Sequence, residues 1–149
     1  MAASSHPEKA PRLFLDTNIL VDLLAERHPH FEPALSLMRQ ARSGNVRLCT
    51  SALSITTCWY LVSRQRDSAT ALDAIRAMTR FVEIIPVSER AVLQALQSVF
   101  SDFEDAVQYF AALEAGDTAF IITRNVRDFR KSVIPVCSAR DYPEASQSR

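Results

Sequence analysis

The chain has 149 residues, with 17 basic and 17 acidic side chains and therefore no net charge. That length fits one domain able to bury its own core without disulfides or metals. Zero net charge excludes a global electrostatic pull toward nucleic acid, so any polyanion has to be held by a local basic patch.

No apolar run approaches the roughly 18 residues that span a bilayer. The N-terminus, MAASSHPEKAP, lacks the basic-then-apolar order of a secretory signal, which reads as a cytoplasmic protein. Residues 1–11 and 143–149 are polar or proline-containing and read as tails flanking one domain over 12–142. Leu13–Leu15 form a strand run that drives into Asp16, Thr17 and Asn18, after which Ile19, Leu20, Leu23 and Leu24 recur at helical spacing. The spacing predicts helices over Asn18–Glu26 and His30–Arg42, the second ended by Gly44 as a left-handed cap. A strand over Val46–Cys49 precedes helices over Ala52–Arg64 and Ser68–Arg80. A strand over Val82–Val87 precedes helices over Glu89–Val99 and Phe103–Ala115, with Gly116 as a second left-handed cap. Ala119–Ile122 and Ile134–Cys137 read as the last strands, with a short helical turn near Val126–Arg130 between them. Five strands alternating with helices imply a central parallel sheet covered on both faces, a three-layer α/β/α sandwich.

Cys49, Cys58 and Cys137 form no CxxC pair and sit in apolar runs, so they read as small core residues rather than a disulfide framework or zinc site. His6, His28 and His30 fall in the tail or near the end of the first helix and read as loop or surface residues. Two glycines and no GxGxxG exclude a dinucleotide-binding loop.

Three stretches carry chemistry. Asp16 follows a strand directly, where open α/β sheets place their sites, although Asp, Thr and Asn are also good helix caps. In SDFEDAVQY, Asp102 is a natural cap with Asp105 one turn on. Three acids within four positions exceed what capping needs, and a cation would relieve their repulsion. In IITRNVRDF, Thr123, Arg124, Asn125 and Asp128 follow another buried strand. If the two strands are neighbours, Asp16, Asp105 and Asn125 or Asp128 converge on one crevice. Oxygen donors without His or Cys select hard cations, Mg²⁺ or Mn²⁺, and suit hydrolysis of a phosphodiester. Arg124, Arg127, Arg130 and Lys131 form a local basic set able to hold an RNA backbone; a solvated helix face is the plainer reading of each alone.

LDTNILVDLL, SDFEDAVQYFAALEAG and IITRNVRDF, taken in this order, resemble the PIN-domain family over Arg12 to about Tyr142, and specifically a smaller subfamily with a DFEDALQY-like motif. The resemblance implies a PIN-like α/β/α sandwich and a metal-dependent endoribonuclease, often the toxin of a VapBC-type toxin–antitoxin pair, with RNA as substrate and an antitoxin protein as partner. By that resemblance Asp16 and Asp105 match metal-binding acids, Asp102 an additional acid, and Asn125 the place of a last aspartate, with Asp128 the nearest carboxylate. Asn18, Thr57, Thr123, Arg124 and Arg127 stand at substrate-facing places. The chain departs from the pattern where many PIN nucleases carry a glutamate, in TSALSITTCWYLVSR, because Thr57 stands there.

That departure supports an alternative, a PIN-fold module that binds RNA or protein with its nuclease chemistry reduced or lost. A haloacid-dehalogenase-like phosphatase would want a second aspartate where Asn18 stands. Leu20, Leu23, Leu24, Leu35 and Leu37 exceed one core-facing stripe, and are read either as packing on a two-sided sheet or as a homodimer or antitoxin surface.

Overall fold

The computed structural model describes residues 9–143, so the expected tails at 1–11 and 143–149 lie largely outside the described residues. Part of the first is joined to the fold: Arg47 N donates to Pro11 O and Arg47 Nε to Ala10 O, both at 2.9 Å.

The elements follow as β1 (Arg12–Leu15), α1 (Thr17–Leu24), α2 (Phe31–Arg42), β2 (Arg47–Ser51), α3 (Ala52–Ser63), α4 (Ser68–Met78), β3 (Val82–Ile85), α5 (Glu89–Leu96), α6 (Phe103–Ala115), β4 (Phe120–Ile122), a 3-10 turn (Val126–Phe129) and β5 (Val136–Cys137). All neighbouring strands pair in parallel, in the order β3-β2-β1-β4-β5. The expected sandwich is present.

Three strands are shorter than the apolar runs suggest: β4 lacks only Ala119 of the expected run, and β3 and β5 are cut by proline. Pro86 has no N–H to give, so β3 stops at Ile85; Pro135 likewise joins only through its carbonyl, which accepts from Ile121 N at 2.9 Å, so β5 starts at Val136. β2 runs beyond Cys49 because Thr50 and Ser51 still pair with Ile84 and Ile85. Gly116 ends α6 with φ 68 and ψ 177, a conformation essentially reserved for glycine but not the left-handed helical one expected; Gly44, at φ 78, turns the chain after α2.

The pleat divides the core. Leu13 and Leu15 point to one face, where α1, α2, α3 and α4 bury Leu20, Leu37, Val62 and Ile75. Phe14 points to the other, against Tyr109 and Ala112 of α6, Ile121 and Phe129. The leucines offered as a partner surface are therefore mostly core: Leu20 and Leu37 are fully buried, and Leu23 and Leu24 pack against the same cluster. Large apolar side chains are exposed elsewhere, including Trp59 and Tyr60 on α3 and Leu93 and Leu96 on α5. All three cysteines are buried thiols. Among the described residues no helix is long and apolar enough to cross a membrane.

β1 leads by way of α1 and α2 to β2 on one side, while β4, its other neighbour, is reached only after α6. The carboxyl ends of β1 and β4 thus flank the point where strand order reverses, the crevice in which open parallel sheets hold ligands.

Candidate active site

Asp16 leaves β1 and caps α1 at once. Its Oδ1 accepts from Thr17 N at 2.7 Å, while Oδ2 accepts from the Thr123 hydroxyl at 2.7 Å and from Asn18 Nδ2 at 3.3 Å. The capping and site readings therefore fall on one residue. Thr123, directly after β4 and fully buried, donates its hydroxyl hydrogen bond to Asp16 and accepts one from Asn125 N at 2.9 Å, so it orients the Asp16 carboxylate from behind.

Asp102 caps α6, its Oδ1 accepting from Asp105 N at 2.9 Å, and is exposed. Asp105 is buried at 6% exposure, and its Oδ2 has no hydrogen-bond partner. Asp16, Asn18, Thr57, Asp102, Glu104, Asp105 and Asn125 line one cleft of about 220 Å³, and Arg27 is the cation that reaches it. Burial pushes the Asp16 carboxyl up to about 6, against hydrogen bonds from Thr123 and Thr17. Asp105 rises to about 8, through burial first and then through the charges of Asp16, Asp102, Asp128 and Glu104. Among the described residues no three such groups enclose a cation by themselves. The fit is to an ion that keeps much of its water: all the donors are oxygen, and one buried carboxylate oxygen is unsatisfied.

Three expected members, Asp128, Arg127 and Arg124, stand apart from this cleft. Asp128 lies on the 3-10 turn in a separate cleft with Arg127, Arg130 and Lys131; only its charge reaches Asp105. Its offset follows from the turn, which carries the chain away from the end of β4. Arg124 is engaged: its Nε lies 2.7 Å from Oδ2 of Asp22, a carboxylate on α1 with no exposure, in an ion pair without aligned hydrogen-bond geometry. Burial raises the Asp22 carboxyl, and the Arg124 charge opposes that rise. Arg124→Ala should therefore cost about 2–4 kcal/mol, more at pH 8 than at pH 5, where an uncovered Asp22 can take a proton. Urea unfolding at both pH values checks this; equal midpoints for variant and parent would refute it.

A family model for the PIN domain matches residues 12–127, well over half of the chain. The chain belongs to the PIN domain family. Ribonuclease VapC1 of Aquifex aeolicus (strain VF5) is 29% identical to this PIN domain over 138 residues, covering 89% of the chain and 94% of the relative. A toxin-antitoxin complex from Klebsiella pneumoniae shares the fold at a TM-score of 0.64 and 19% identity, over 85% of this chain and 97% of the other. VapC20 of Mycobacterium tuberculosis, a sarcin-ricin loop cleaving toxin, does so at 0.58 and 19% identity, over 73% and 86%.

The PIN domain also holds residues that sequence reasoning passed over. Gln108 is fully buried on α6; its Nε2 donates to Thr17 Oγ1 at 2.8 Å and to Ser54 Oγ, and its Oε1 accepts from Ser51 Oγ at 2.6 Å. Thr17 and Ser54 hydroxyls are 2.8 Å apart, and Thr17 donates to Glu104 Oε1 at 3.1 Å. This polar row ties α1, α3 and α6 together behind the cleft and holds Glu104 at its edge. A signal existed: Ser51, Ser54 and Gln108 are polar residues at positions whose helical or strand spacing faces inward.

Proposed function

We propose that this PIN domain is a metal-dependent endoribonuclease that hydrolyses RNA phosphodiester bonds, working as the toxin of a toxin–antitoxin pair in the cytoplasm. One observation carries the chemistry: a buried Asp105 with an unsatisfied oxygen shares a cleft with Asp16 at the switch point of the sheet. The 29% identical ribonuclease relative supports the reaction class, and the fold shared with the Klebsiella pneumoniae complex supports an antitoxin partner.

Asp16, Asp105 and Asp102 would hold Mg²⁺ or Mn²⁺, with Asn125 as a neutral oxygen donor. The ion, when bound, supplies a Lewis acid for the phosphoryl oxygens and lowers the pKa of the attacking water. The chain's own part is placement. Thr123 and Asn18 fix the Asp16 carboxylate, and Asp102 holds the first turn of α6 so that Asp105 enters the cleft. The exposed Trp59, Tyr60, Leu93 and Leu96 are the apolar surface available to a second copy or an antitoxin. Purified protein should cut single-stranded RNA with Mg²⁺ or Mn²⁺ and not in EDTA. A folded protein that leaves a mixed RNA panel intact in both metals refutes the nuclease reading.

Glu104 lines the same cleft as Thr57, and its charge acts on Asp16. It supplies on α6 a negative charge that Thr57 does not supply on α3. Glu104→Gln should weaken Mn²⁺ binding about tenfold, on the order of 1.4 kcal/mol, and adding Thr57→Glu should restore much of it. Calorimetric titration of the three proteins measures this; an unchanged affinity for Glu104→Gln would exclude Glu104 from the ion's environment.

A further inference from the structure

A second cleft, of about 520 Å³, opens beside the carboxylates, and Asn125 lines both. Its size is within the usual range for small-molecule sites, about 300–1,000 Å³. We infer that it is a nucleotide subsite, which takes the base and phosphate of the RNA residue next to the bond that is cut.

The walls differ in chemistry. Ile19 of α1, Pro29, Pro33 and the exposed His30 imidazole line one part of the cleft, three apolar side chains with an aromatic ring. Unpaired bases of single-stranded RNA stack on aromatic rings and guanidinium planes, which here are His30, Arg124 and Arg140. Arg124 and Arg140 bring two guanidinium groups, and Asp141 an exposed acceptor suited to an exocyclic amine of a base. Asp22 sits at the floor with no exposure and no aligned hydrogen bond to either oxygen. It takes the Nε side of Arg124, whose side chain stays 33% exposed, and so leaves the terminal nitrogens for a phosphate. The loop that carries Arg124 is set by Asn18, whose Oδ1 accepts from Arg124 N at 3.3 Å; the same Asn18 reaches Asp16. One side chain thus registers both clefts. With no net charge on the chain, such a local pair of cations is what an RNA strand has to find.

The inference rests on the endoribonuclease reading, and the test separates the two. Fluorescent RNA hexamers (A₆, U₆, C₆ and a mixed sequence) are titrated by anisotropy into the Asp105→Asn protein. The same titration follows with Arg140→Glu or His30→Ala added, both at exposed positions. Arg140→Glu should weaken every hexamer about tenfold and flatten the salt dependence, while His30→Ala changes the ranking of the hexamers severalfold. In chains that retain Asp105, neither change should alter Mn²⁺ affinity. Loss of hexamer binding in these variants of a protein whose parent cuts no RNA would refute the nuclease, and with it a subsite beside a cut bond, and leave the cleft as an RNA-binding surface. Unchanged binding and ranking in both variants, with parental RNA cleavage intact, would overturn the subsite and leave the nuclease standing.

Discussion

Asp105→Asn should abolish RNA cleavage, by on the order of a thousandfold or about 4 kcal/mol of transition-state stabilisation, and at the same time make the metal-free protein more stable. Both effects come from one carboxylate. Burial and the charges of four neighbouring acids lift Asp105 to about 8, and burial lifts Asp16 to about 6. Each group binds its proton more tightly in the folded chain than in the unfolded one. Their contribution to stability is therefore complete below about pH 4 and is lost as pH rises through about 6 and then about 8. Without metal the fold should weaken steadily over that window, and the two acids should titrate as a coupled pair.

Asparagine removes the charge that costs this stability. In EDTA at pH 8 the variant should melt about 5 °C above the parent, whereas at pH 4, near the ordinary carboxyl value, where folded and unfolded chains both hold the proton, the two should nearly coincide. Added Mn²⁺ should reverse the order at pH 8, because it stabilises only the chain that binds it. Scanning calorimetry at the two pH values, with and without Mn²⁺, is the measurement. A variant that cuts RNA at the parental rate, or whose melting shift is the same at both pH values, would remove Asp105 from the centre of the chemistry.

Gln108→Leu should cost about 3 kcal/mol in stability, through the buried polar row behind the cleft. Leucine nearly keeps the volume but withdraws one acceptor and two donors from a region with no water access. Ser51, Thr17 and Ser54 lose partners together, and a partly satisfied buried network costs more than an apolar one. The midpoint of unfolding should fall by about 10 °C, and RNA cleavage should fall with it, since only the Thr17–Glu104 hydrogen bond is left to hold α1 against α6. Gln97→Leu, at the exposed end of α5, should change stability by less than about 0.5 kcal/mol. Equal melting of the two variants would show that the hydroxyls re-pair without Gln108.

The sandwich was legible because its signals are local. Apolar spacing placed α6 at Phe103–Ala115 to the residue, and strand-to-helix alternation implied the parallel sheet. Asp16 and Asp105 were legible for the same reason: one follows a strand directly, the other stands one turn inside a helix. Gln108, Ser51 and Ser54 were legible only as polar residues at inward-facing spacing, and Glu104 only as one of three clustered acids, because which polar side chain on another element meets them is not carried by spacing along one element. Arg124 shows the converse. Its surroundings in sequence, TRNVRDF, suggest an open cation, but Asp22 lies about a hundred positions away and claims it. Asp22 itself had a visible mark, a charge set between Val21 and Leu23 on the inward side of α1.

The proline stops on β3 and β5 reach beyond the fold of a single molecule. Both are margins of the sheet, where free N–H and C=O groups invite a strand from another chain. β5 offers two residues behind Pro135, and β3 offers four before Pro86, with Glu83 among them. Neither is long or apolar enough to template a foreign strand, so concentrated protein should resist cross-β stacking.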